Sequence, residues 1–90
     1  MKKIKITISG RVQGVCFRYF AYELALKLNI KGYVKNLWNG DVEAVTIGSE
    51  QNVERFLKQI KIGPPASRID KVELQEIPDS IDYDTFKITY

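Results

Sequence analysis

The residues best placed to do chemistry stand together in one short stretch, Gly10-Arg11-Val12-Gln13-Gly14-Val15-Cys16-Phe17-Arg18. Its two glycines let the backbone turn tightly and present N–H groups to a ligand. A helical pattern begins directly afterwards, so a helix N-terminus points its positive end at the same spot. Arg18 falls in that helix's first turn, where a planar guanidinium can fork onto two oxygens of one phosphoryl group. Arg11 adds positive potential beside it. Together these groups make an oxyanion trap, with the backbone from Gln13 through Gly14, Val15, Cys16 and Phe17 to Arg18 as its cradle.

Other chemistries are excluded by what is missing. The 90 residues hold no histidine and one cysteine, Cys16. Histidine acid–base catalysis, Ser-His-Asp and Cys-His nucleophiles, His-ligated zinc, internal disulfides and multi-cysteine metal sites therefore drop out. A thiolate at Cys16 would be favoured by the helix end. Cysteine phosphatases, however, need the arginine several residues downstream so that a loop can wrap the phosphate, and Cys16-Phe17-Arg18 is too tight. The formal charge of +3 suits small anions but is low for a protein living on nucleic acid. No run approaches the roughly 20 apolar residues of a membrane span, and Met1-Lys2-Lys3-Ile4-Lys5-Ile6 has no apolar signal core. The expectation is one cytoplasmic domain, 1–90, with no membrane partner.

The elements that must position the trap follow from periodicity. Lys3–Ser9 alternates Ile4, Ile6 and Ile8 against Lys3, Lys5 and Thr7, a half-buried strand. Phe17, Phe20, Ala21, Leu24, Ala25 and Leu28 form the apolar face of a helix, with Asn29 as its stop. Gly32–Trp38 and Asp41–Gly48 read as strands around the hairpin signal Asn39-Gly40. Ser49 caps a second helix carrying Val53, Phe56, Leu57 and Ile60, which ends at Gly63-Pro64-Pro65. Ile69–Ile77 is a strand, Pro78–Tyr83 a loop and Asp84–Tyr90 a short last strand. The order β-α-β-β-α-β plus one strand is the split βαβ, ferredoxin-like pattern of the α+β class. Right-handed crossovers give an antiparallel sheet ordered 4-1-3-2 with both helices on one face, and the fifth strand extends an edge.

Register decides where Asn36 points. A two-residue turn would pair Asn36 with Glu43 and bury Glu43 under the helices. A three-residue loop with Gly40 left-handed pairs Asn36 with Val42 and Lys35 with Glu43 on the open face, which is preferred. The first two strands run the same way, so Asn36 emerges at the rim where the Gly10–Arg18 loop lies. Two strand spacings, roughly 10 Å, separate them, room for a phosphoryl group and one water.

Val12-Gln13-Gly14-Val15-Cys16-Phe17-Arg18 resembles the acylphosphatase signature VQGVxFR, in which the position of Cys16 is the variable one. Gly32-Tyr33-Val34-Lys35-Asn36 with Asn39-Gly40 is similar to that family's GxVxN motif and glycine turn. Gly63-Pro64-Pro65 and the ending Phe86-Lys87-Ile88-Thr89-Tyr90 match it too, so the likeness covers essentially the whole chain. The resemblance implies a cofactor-free, metal-free hydrolase for small-molecule acyl phosphates, with catalytic residues Arg18, which binds the phosphate, and Asn36, which orients the attacking water. The loop amides complete the cradle.

Such a site needs few groups. The carboxylate leaving group has a conjugate-acid pKa of about 4, so it departs at neutral pH without a general acid. The water's proton goes to the substrate's own phosphate oxygen, or to Glu43 or another carboxylate near that edge. Two rival readings are a non-catalytic phosphate-binding relative and an RNA-binding module of the same βαββαβ order. The RNA reading requires aromatics on the open faces of strands one and three. Lys3, Lys5 and Thr7 stand there in strand one, and strand three has no aromatic. The expectation is a monomer without a nucleic-acid partner.

Overall fold

The computed structural model describes residues 1–90, with β1 (Lys2–Arg11), α1 (Phe17–Lys27), β2 (Lys31–Asn36), β3 (Val42–Gly48), α2 (Glu50–Ile62), β4 (Arg68–Glu76) and β5 (Phe86–Ile88) in chain order. One sheet runs β4-β1-β3-β2-β5. The first four strands pair antiparallel in the expected 4-1-3-2 order, and β5 joins the β2 edge in parallel. The whole sheet is therefore mixed. Both helices cover one face, where Ile6, Ile8, Val34 and Ala44 from the strands meet Phe17, Ala21 and Phe56 in the core.

Local chemistry sets the element ends. The Ser49 side chain accepts the Asn52 N–H and caps α2. α1 closes with Asn29 at φ 52° and the Ile30 N–H bonded to the Ala25 carbonyl, a Schellman ending that a short amide side chain tolerates. β1 runs two residues beyond its expected end, so Gly10 lies in the strand and not in the loop. Its pairing slips after Ser9: Ser9 faces Lys71, whereas Gly10 faces Ile69. At this bulge Gly10 has φ 132°, and a Cβ there would collide with the Arg68 carbonyl oxygen. Gly10 therefore shapes the exit from β1 rather than cradling an anion.

β4 and β5 lie at opposite edges, so residues 77–85 must cross the sheet. Crossing four strand spacings takes roughly 19 Å, well within reach of nine extended residues. The segment passes over the open face. Lys3 Nζ donates to the carbonyls of Asp79 and Ile81, both at 2.6 Å, and Tyr83 packs edge-on against Tyr33. Val45 and Ile47 on that face are buried. Beside this strap, Glu43 accepts the Tyr33 hydroxyl at 2.8 Å and lies 4.0 Å from Lys5 and 3.8 Å from Lys35. Burial, reinforced by the hydrogen bond to Glu43, holds the Tyr33 phenol well above its ordinary pKa.

Candidate active site

The loop between β1 and α1 spans residues 12–16. Val12 and Phe17 are buried at its two ends, and Val15 packs against the core between them. These three apolar anchors leave the intervening backbone turned outward. Gly14 adopts φ 74° and Cys16 φ 62°. Left-handed residues in such a loop aim successive N–H groups into one concavity. Cys16 carries a Cβ in that conformation, at a cost of about 1–2 kcal/mol, and its thiol is exposed. No backbone N–H from Gln13 to Arg18 donates to a carbonyl of the chain. Six adjacent donors are thus free for an anion, the last of them in the first turn of α1.

Arg18 is held from the far edge of the sheet. Its Nη1 donates to the Thr89 carbonyl at 3.2 Å, and its Cζ lies 4.7 Å from the centre of the Tyr90 ring. The bond to one main-chain oxygen and the ring of the exposed Tyr90 bias the orientation of the guanidinium. Most of its N–H groups remain unused. Asn36, the last residue of β2, pairs with Val42, and Lys35 pairs with Glu43, the register of the three-residue loop. Asn36 consequently shares the helix-covered face.

A recess of about 310 Å³ brings these parts together: Gly14, Cys16 and Arg18 from the loop and α1, Asn36 from β2, Ile88 at the end of β5 and Tyr90 beyond it. Val12, Phe17 and Tyr19 complete the lining, which contains no acidic side chain. Glu43 projects from the opposite face of the sheet, bound to Tyr33 and flanked by the two lysines. It is therefore turned away from the recess and out of reach as its base. The backbone N–H of Gln13 is one of the six free donors, and its side chain does something the periodicity did not reveal. Gln13 Nε2 donates to the carbonyls of Leu37 and Asp41, both at 2.8 Å. Thr89 and Tyr90 were also missed. Their signal was the alternation of Phe86, Ile88 and Tyr90, which commits one side of the last strand to the helix-covered face.

Fold and recess together define a small α+β domain built to receive an oxyanion at one rim of its sheet. Comparison with known proteins narrows this class. The family model for Acylphosphatase matches residues 4–88. An acylphosphatase of Syntrophotalea carbinolica is 42% identical over 89 residues, covering 98% of this chain and 96% of that protein. The crystal structure of acylphosphatase from Bacillus subtilis superposes with a TM-score of 0.96 at 36% identity, each chain fully covered. A probable carbamoyltransferase HypF of Methanocaldococcus jannaschii is 44% identical over 87 residues, 96% of this chain but 11% of that larger protein. The chain belongs to the acylphosphatase family of enzymes.

Proposed function

We propose that the protein hydrolyses the carboxyl–phosphate bond of small acyl phosphates by direct attack of water on phosphorus. The observation that carries this reading is the run of six free amides ending at Arg18, of which Gly14, Cys16, Phe17 and Arg18 line one recess with Asn36. The amides and the guanidinium bind the phosphoryl oxygens and spread the charge that grows on them. The Asn36 carboxamide, at the rim of the same recess, orients a water in line with the bond to be broken. The water oxygen forms the new P–O bond as the old one breaks. The electron pair leaves on the carboxylate, which needs no proton at neutral pH. One water proton passes to a phosphoryl oxygen of the substrate, in keeping with a lining that offers no acidic side chain.

This chemistry calls on no metal and no cofactor. We take it to act as a monomer of one domain, and no helix is long and apolar enough to cross a membrane. We place it in the cytoplasm, without a nucleic-acid partner. The face on which an RNA-binding relative would stack bases is crossed here by residues 77–85 and tied down by Lys3.

The test is steady-state hydrolysis of acetyl phosphate against a simple phosphate monoester. The protein is expected to turn over the acyl phosphate and leave the monoester nearly untouched, because an alkoxide is a far poorer leaving group and the site supplies no acid. Equal rates on the two, or none on the acyl phosphate, would refute the proposal.

A further inference from the structure

We infer that the side chain of Gln13 is a positioning residue that sets the distance between the phosphoryl cradle and Asn36. The inference rests on the proposed role of Asn36 as the water-orienting group. β1 and β2 are not neighbours, because β3 lies between them. The cradle and Asn36 thus emerge on strands roughly 10 Å apart, with no ladder bond joining them directly. In-line attack tolerates little error over that gap, since a misplacement of about 1 Å costs on the order of 10²-fold.

Gln13 spans the gap. Its Nε2 donates at once to the carbonyls of Leu37 and Asp41. Those two residues form the mouth of the β2–β3 hairpin: the Leu37 N–H bonds to the Asp41 carbonyl at 2.8 Å, and the Gly40 N–H to the Leu37 carbonyl at 3.2 Å. Leu37 directly follows Asn36 in the chain. A carboxamide NH₂ offers two hydrogens, one for each carbonyl, so a single side chain closes both sides of the turn. Both partners are pure acceptors, which fixes the amide's orientation. The bonds are half-buried, where a lost partner matters more than in open water. The cradle keeps its shape through Val12, Val15 and Phe17. Loss of the Gln13 amide therefore frees Asn36 to drift relative to the cradle without dismantling the cradle itself.

The experiment compares Gln13→Met, of similar length but without a donor, and Gln13→Asn, too short to reach, in wild-type and Asn36→Ala backgrounds. Circular dichroism accompanies each rate measurement. In the wild-type background kcat for acetyl phosphate should fall by roughly 10–10²-fold, while competitive inhibition by inorganic phosphate stays essentially unchanged. In the Asn36→Ala background either substitution should add little, because the group it positions is already gone. Full kcat in both variants, a loss of phosphate inhibition, or an equal fall in both backgrounds would overturn the tether. Wild-type activity in Asn36→Ala alone would remove the role of Asn36, and the tether with it. A normal fall in Asn36→Ala beside unaffected Gln13 variants overturns the tether only.

Discussion

Arg18→Ala is expected to lower kcat/KM for acetyl phosphate by on the order of 10³, about 4 kcal/mol of transition-state stabilisation. Arg18 supplies the only charged side chain lining the recess. It is also oriented before substrate arrives, by the Thr89 carbonyl and the Tyr90 ring, so its donors need no reorganisation during the reaction. Phosphate inhibition should weaken with the rate, because the same fork binds product and transition state. The fold should persist. Arg18 is only half-buried, and what it gives up is one hydrogen bond to a main-chain oxygen and a contact with the exposed Tyr90 ring, together about 1–2 kcal/mol. Circular dichroism and thermal unfolding on the assayed sample separate the two effects. A folded variant with near wild-type kcat/KM would remove Arg18 from the chemistry.

Asn36→Ala is expected to act differently. Its kcat should fall by on the order of 10²–10³, whereas the inhibition constant for inorganic phosphate should hardly move. Asn36 faces the cradle from another strand and contributes none of the six amides, so anion binding does not depend on it. What is lost is the aim of the water. Measured together, kcat and phosphate inhibition distinguish aim from grip. If phosphate inhibition vanished with the rate, Asn36 would be a binding residue.

Much of this architecture was legible before any coordinates. Burying Glu43 is costly, so the hairpin register had one cheap solution, and the pairing of Lys35 with Glu43 follows it. Isoleucine alternation in β1 and the apolar stripes of both helices likewise left little choice of face. The remainder depends on contacts between residues far apart in the chain. Both β4 and β2 offered an open edge, and nothing local in Phe86–Tyr90 says which one it joins. Only the crossing of the open face by residues 77–85 brings Thr89 and Tyr90 to Arg18. The tether from Gln13 escaped notice for the same reason, since its partners lie 24 and 28 residues away. Gly10 was misplaced because a bulge and a turn ask the same freedom of a glycine, and sequence spacing does not tell them apart. Glu43 attracted interest as a base because it lies near the site's edge of the sheet, although the preferred register already put it on the open face. The two-residue period of a strand sends it to the other side of the sheet.

The central claim is that a phosphoryl group sits on the amides of residues 13–18 beside Arg18 and Asn36. Titrating ¹⁵N-labelled protein with inorganic phosphate tests it most directly. The account predicts saturable amide shifts concentrated from Gln13 to Arg18, accompanied by the Asn36 side-chain NH₂, with the same midpoint as competitive inhibition. Shifts centred instead on the recess around Lys2 and Lys3, with residues 13–18 unmoved, would contradict it.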